Sequence, residues 1–192
     1  MLARPDRLPH GDYSFEVKWD GFRAIVSTEN GLVVRSRRGW SMSERLPELV
    51  GLPTGLVLDG ELVAFGLDGR PSFPLLNARV LHGRVGIGVT FMVFDVLRVE
   101  GLDAMCLPYA ERRALLDELD LNGRAWRTPE VFEDGPALME ATRRLGLEGI
   151  VAKRRSERYR PGERRWIKTK HHSYWRFGQE LDFARSRQVQ SI

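Results

Sequence analysis

The sequence contains one cysteine, Cys106. A lone thiol excludes an intrachain disulfide and any site built on several cysteines. It reads as a small filler of core or loop. No apolar run approaches the ~20 residues of a membrane-spanning helix, so no membrane partner is expected. The N-terminus lacks the apolar core of a signal peptide, which makes a cytoplasmic protein the expectation. Internal repeats and low-complexity segments are missing too. His171-His172 has no acid or cysteine at metal-ligand spacing and reads as a surface pair.

What is present suits a folded chain. The 192 residues suffice for one sizeable domain or two small ones. An apolar share of 42% with 29% charged residues is ordinary for a soluble globular protein. The net charge is only +4, but the 30 basic residues cluster at Arg35, Arg37 and Arg38 and again from Lys153 to Lys170. Clustered guanidinium groups match phosphate oxygens and point to a polyanion. A solvated charged face explains any single cluster equally well.

Hydrophobic patterning gives the elements. Residues 1–12 read as an extended lead-in with Pro5, Pro9 and Gly11. Strands are predicted over Tyr13–Val17, Phe22–Ser27 and Leu32–Arg35, with turns between them. Ser41 and Glu44 fit a capping box ahead of a short helix whose apolar face is Leu46, Leu49 and Val50. A buried strand is predicted over Leu56–Phe65, a short helix over Phe73–Val80 and a strand over Val85–Leu97. Tyr109–Leu121 and Pro136–Leu145 read as helices, and Trp126–Phe132 as a short strand. Glu148–Arg154 and Trp166–Lys170 close the pattern as strands, with a short helix and tail after them. The class is α+β, with mainly antiparallel sheets flanked by helices.

Several charged residues sit where charge is costly. Lys18 ends an apolar strand and is followed by Asp20, Gly21 and Arg23. Taken alone it could be a solvated turn lysine, or a nucleophile if neighbours keep its amine partly neutral. Lys168 and Lys170 share one strand face, as an anion such as phosphate would require, or as an edge strand would tolerate. Asp59 and Glu61 also share a face within a Leu, Val and Phe run, where carboxylates need cations or donors. Glu148 heads another apolar strand, and with Glu61 could hold magnesium when phosphates complete the shell. Phe94 is a core residue or a platform for a base.

Taken in order, these pieces resemble the nucleotidyltransferase (adenylation) domain of ATP-dependent DNA ligases. Lys18-Trp19-Asp20-Gly21-Phe22-Arg23 matches K-x-D-G-x-R, and Ser36-Arg37-Arg38-Gly39 resembles S-R-x-G. Asp59-Gly60-Glu61 matches D-G-E, and Phe91–Leu97 resembles the strand bearing an adenine-stacking aromatic. Glu148–Lys153 matches E-G-x-x-x-K, and Trp166–Lys170 matches W-x-K-x-K. Six motifs in order cover residues 13–170. Glu16-Val17 and Tyr159-Arg160-Pro161-Gly162 look most like bacterial ligases of the ligase C and ligase D kind, which act in end joining.

The resemblance implies an ATP-grasp-like nucleotidyltransferase domain over residues 1–180 with a tail over 181–192. Family ligases continue into an OB-fold domain of roughly a hundred residues, and too few residues follow Lys170 here for one. A separate OB-fold or end-joining partner is therefore expected, around a monomer. Lys18 would attack ATP and carry AMP to the 5′-phosphate of nicked double-stranded DNA. A lysine amine titrates near ~10.4, and Lys168, Lys170 and bound metal would lower that. Asp20 would orient the lysine or the attacking hydroxyl. Phe94 would stack on adenine and Glu16 would accept from its exocyclic amine, with Val17 a further contact to the nucleotide. Arg23, Arg37 and Glu61 would line the ribose and the DNA phosphate, with Lys153 a further phosphate candidate. Glu61 and Glu148 would hold Mg2+ or Mn2+. Rival readings are an RNA ligase, a capping guanylyltransferase, or an impaired remnant that only binds nicked DNA.

Overall fold

Strand β1 (Ala3–Pro5) opens the computed structural model, which describes residues 1–174. Strands β2 (Tyr13–Val17), β3 (Phe22–Ser27), β4 (Val33–Ser36) and β5 (Leu56–Val63) follow. Helix α1 (Phe73–Val80) leads to β6 (Thr90–Val99) and β7 (Leu102–Asp103). Then come α2 (Tyr109–Glu118), β8 (Trp126–Arg127), α3 (Gly135–Arg144), β9 (Gly149–Arg154) and β10 (Trp166–Lys170).

The strands form two sheets among the described residues. One runs β1-β10-β9-β2, antiparallel except for the parallel pair β1 and β10. The other runs β4-β3-β5-β6-β7, antiparallel along its length, with β8 added parallel to β6. The α+β expectation holds. A large core fills the space between the second sheet and its helices. Val26, Leu58, Leu62 and Phe91 meet Leu76 of α1 and Leu116 of α2 there, all essentially without solvent contact. A second core lies under α3, from Phe15, Leu138, Ile150 and Ile167. A third joins the sheets: Met1, Trp166 and Tyr159 pack with Leu97, Ile25 and Phe94.

Local chemistry explains the boundaries. Asp134 caps α3 by accepting from the Ala137 amide at 2.8 Å, and Pro136 fits its first turn. A side chain at Gly135 would strike the Phe15 ring at 2.7 Å, so the helix lies close on the second core.

Several expectations need correction. The helix after Ser41 is two 3-10 turns, Ser43–Arg45 and Pro47–Gly51, without a side-chain cap. The Ser43 hydroxyl instead accepts from the Val34 amide, and Pro47 breaks the run. Leu46 and Leu49 are buried as expected, but Val50 is 69% exposed. The strand predicted from Val85 begins at Thr90, because the preceding glycine-rich stretch stays irregular. The strand predicted over Trp126–Phe132 shrinks to two residues, although Phe132 still bridges to Phe15. His171 is buried, not on the surface; its Nε2 lies 3.0 Å from the Thr142 hydroxyl. Burial, then Arg143, holds its imidazole below the usual range. Cys106 sits in an exposed turn. The predicted boundary at residue 180, and the helix and tail placed after Lys170, lie largely outside the described residues. Among those residues no helix is long and apolar enough to cross a membrane.

Candidate active site

The two sheets face each other across an open cleft of about 740 Å³. Strand register assembles its floor. The Lys18 amide donates to the Gly149 carbonyl at 2.9 Å, just past the end of β2. Gly149 is paired with Lys170 across β9 and β10. Its φ of 148° and a notional Cβ only 2.1 Å from the Thr169 carbonyl leave room for glycine alone. Three charges thus converge. Lys18 Nζ donates to Glu148 Oε2 at 2.6 Å, and Lys170 Nζ lies 2.6 Å from Glu148 Oε1. Glu148 is 4% exposed, so its two cationic partners offset much of the cost of burying it. The expectation that Lys18 is crowded by cations needs amendment, since a shared carboxylate stands between Lys18 and Lys170.

The loop after Lys18 is equally constrained. A Cβ at Gly21 would sit 2.0 Å from the Leu62 carbonyl, so only glycine lets this turn lie on β5. Asp20 is buried, and its Oδ2 accepts from the Tyr174 hydroxyl at 2.8 Å.

The facing wall comes from β3 and β5. Arg23 makes a two-pronged pair with Asp59, Nε to Oδ1 at 2.9 Å and Nη2 to Oδ2 at 2.5 Å. Tyr159 donates to the same Oδ2 at 2.8 Å. The guanidinium lies 5.1 Å from the Trp166 ring centre and 5.6 Å from that of Phe94. Burial opposes its charge, but Asp59 outweighs burial and the net direction is upward. Asp59 and Glu61, read as sharing a strand face and needing cations or donors, differ in their surroundings: Asp59 is sealed under Arg23, and of the two only Glu61 lines the cleft. Burial pushes the Glu61 carboxyl up to about 8, with Glu148 and Asp59 adding to the rise against the pull of Lys18 and Arg23.

The inner end of the cleft is lined by Glu16, Val17, Phe94 and Lys153. Lys153 is 1% exposed. Its ammonium contacts Glu16 Oε1 at 2.7 Å and donates to the Phe94 carbonyl at 2.8 Å. The ring centres of Trp166, Phe94 and Tyr109 lie 4.5, 4.6 and 5.0 Å away. Tyr109 donates its hydroxyl to Glu16 Oε1 at 2.5 Å. The sequence singled out Lys153 for phosphate; the structure commits its ammonium to Glu16.

Lys168 lines the cleft beside these groups, and Arg37 and Arg38 stand exposed at its rim with Trp40. The tight turn that presents the two arginines closes with the Gly39 amide on the Ser36 carbonyl at 2.8 Å. Sequence reasoning missed Arg112. It is fully buried, clamps Asp95 at 2.7 and 2.9 Å, and reaches the Leu107 carbonyl. Only the acid inside the apolar run of β6 hinted at a cation for it.

Among the described residues no cluster of three or more His, Cys, Asp or Glu could hold a metal. Glu61 lines the cleft and Glu148 lies beside it under Lys18 and Lys170, and the burial of Glu61 favours a cation beside it. Two carboxylates fit a hard divalent ion that takes its other ligands from phosphate and water.

Comparison with known proteins gives this geometry a lineage. A family model described as "ATP dependent DNA ligase domain" matches residues 5–170. The multifunctional non-homologous end joining DNA repair protein LigD of Mycobacterium tuberculosis is 38% identical over 173 residues, covering 85% of this chain and 22% of LigD. The SPbeta prophage-derived DNA ligase-like protein LigB of Bacillus subtilis is 30% identical, covering 91% of this chain and 67% of LigB. A structure of mycobacterial DNA ligase D complexed with ATP and MES superposes with a TM-score of 0.77 at 34% identity, over 88% of this chain and 59% of that one. The chain thus spans about a fifth of the length of the LigD proteins it matches.

Proposed function

Because this chain belongs to the ATP-dependent DNA ligase domain family, we propose that Lys18 carries AMP as a covalent phosphoramidate on the way to sealing nicked duplex DNA. The observation that supports this most directly is the position of Lys18, which lines the cleft while its Nζ pairs with Glu148, the carboxylate that also holds Lys170.

The Lys18 nitrogen attacks the α-phosphorus of ATP. An N–P bond forms, the bond to the bridging oxygen breaks, and pyrophosphate leaves. The proton leaving the ammonium has an immediate acceptor in Glu148 Oε2 at 2.6 Å. Lys168 and Lys170 then offset charge gathering on the α-phosphate oxygens. An oxygen of the DNA 5′-phosphate next displaces Lys18 from phosphorus, and a 3′-hydroxyl displaces AMP to close the strand. Asp20 orients the reacting groups from the loop beside Lys18. Phe94 stacks on adenine, with Glu16 and Val17 at the edge of the base. Glu61 and Arg23 border the ribose. Arg37 at the rim meets the DNA phosphate.

Glu61 and Glu148 would hold a divalent ion, Mg2+ or Mn2+, which when bound supplies charge neutralisation at the phosphates. The OB-fold part of the reaction, and any end-joining partner, would come from elsewhere than residues 1–174.

Labelled ATP, magnesium and a denaturing gel test the reading. Label should stay on the wild-type chain and vanish in Lys18→Ala; persistent label on that variant overturns the nucleophile. Nicked DNA against nicked RNA, and ATP against GTP, separate a DNA ligase from an RNA ligase or a capping enzyme.

A further inference from the structure

His171 and Tyr174 take no part in the bond-making steps above, yet the turn they bound reaches back to the loop that carries Lys18. The path is a closed ring of contacts. The Lys18 amide donates to the Gly149 carbonyl at 2.9 Å, and Lys18 Nζ donates to Glu148 Oε2 at 2.6 Å. The Glu148 carbonyl accepts from the His171 amide at 3.0 Å, and the His171 carbonyl accepts from the Tyr174 amide at 3.2 Å. The Tyr174 hydroxyl then donates to Asp20 Oδ2 at 2.8 Å, two residues beyond Lys18. The turn is also fixed from outside the ring. The Thr142 hydroxyl of α3 gives its proton to the Met139 carbonyl, so it accepts from His171 Nε2 at 3.0 Å.

We propose that Tyr174 is a positioning residue of the adenylation step: through Asp20 it holds the backbone of the Lys18 loop at the cleft while the Lys18 side chain changes partner. The inference rests on the adenylate-forming reading above and deepens it.

Three observations carry it. The Lys18 ammonium is held by Glu148, and that charge pairing ends when the nitrogen bonds to phosphorus. A loop that must stay in place through this exchange needs a support that the exchange leaves intact. Asp20 is 7% exposed, and a carboxyl oxygen so enclosed needs a donor, which Tyr174 supplies. The far side of the loop is fixed at Gly21, where a Cβ would sit 2.0 Å from the Leu62 carbonyl. The stretch that shifts when the hydroxyl is lost is therefore residues 18–20, the nucleophile among them.

The whole chain carrying Tyr174→Phe, which keeps the ring, tests this. Single-turnover labelling at saturating ATP should slow about tenfold, the scale of a small misplacement of the reacting nitrogen. The ATP dissociation constant from calorimetry and the melting temperature should stay close to wild type. Hydrogen exchange of the backbone amides of residues 19–21 should quicken several-fold. Added to Asp20→Ala, Tyr174→Phe should slow labelling no further, since the hydroxyl acts through that carboxyl. An unchanged labelling rate in Tyr174→Phe overturns the proposal. So does a loss that persists in full beside Asp20→Ala, or one explained by weaker ATP binding. Should Asp20→Ala label too slowly to follow, the exchange of residues 19–21 decides in its place. A wild type that takes no label strikes the ligase reading itself, a different failure, and the same exchange still decides whether Tyr174 holds the loop.

Discussion

Lys18 and Lys170 donate to opposite oxygens of one carboxylate, that of Glu148, each at 2.6 Å. A buried anion is thus the hinge between the proposed nucleophile and the closing lysine strand. Glu148→Gln would leave two ammonium groups facing an amide. We expect a loss of about 1–3 kcal/mol in urea unfolding, below the figure for a fully buried pair because both lysines keep some solvent. Adenylate labelling in a single turnover should fall by at least about a hundredfold. Labelling at the wild-type rate would remove Glu148 from the site.

Asp59 anchors Arg23 between two aromatic rings. Asp59→Ala would strand that guanidinium in a buried place, at a cost of about 3–5 kcal/mol. Asp59→Asn, which keeps an acceptor, should cost less. Chemical denaturation of both variants measures the difference, and a cost below about 1 kcal/mol for the alanine would contradict the anchor.

Gly21 matters for space rather than flexibility, since its Cβ would collide with the Leu62 carbonyl. Gly21→Ala must push the Lys18 loop off β5. Stability should drop by about 1–3 kcal/mol, as for other overpacked sites. Calorimetry should show ATP affinity lost along with it, whereas alanine at the open turn of Gly69 should leave ATP affinity unchanged.

Glu61 gives a pH signature. Burial raises its carboxyl from an ordinary 4.5 to about 8 in the folded state. Between those values the folded chain holds a proton that the unfolded chain has lost. Its contribution to stability is therefore complete below about 4.5 and lost as pH rises toward 8. The melting temperature of the ligand-free protein should decline over that window more steeply than that of Glu61→Gln. Parallel slopes would show that Glu61 titrates normally.

Lys168 lines the cleft from the middle of β10. Lys168→Ala should slow adenylate formation by about a hundredfold or more while leaving the circular dichroism spectrum and melting temperature close to wild type. An unchanged single-turnover rate would take Lys168 away from phosphate.

The sequence revealed those parts of the site whose chemistry is local. Lys18, Glu61, Glu148 and Lys168 each stand out because a charge interrupts or ends an apolar strand, and strand alternation shows which face it takes. Distant pairings were not legible. Nothing in the spacing joins Tyr109 to Glu16, or Arg112 to Asp95, because those contacts depend on how α2 docks against both sheets. Arg112 sits in a polar stretch that reads as an exposed helix face. His171 misled because a polar pair after a strand looks solvated, whereas its backbone amide holds the Glu148 carbonyl at 3.0 Å. Ser41 and Glu44 matched a capping pattern, but local propensity yields where Pro47 and the Val34–Ser43 contact set the turn.

The short opening strand has a practical corollary for anyone redesigning this protein. β1 pairs with the outer side of the lysine strand, Pro5 opposite Lys168, while Met1 is 2% exposed among Tyr159 and Trp166. Deleting residues 1–5 to tidy an apparently loose leader would uncover a raw edge of backbone donors and acceptors. Such an edge recruits another copy of itself. A trimmed protein should therefore elute as aggregates and lose activity, though every charged residue of the cleft is still encoded.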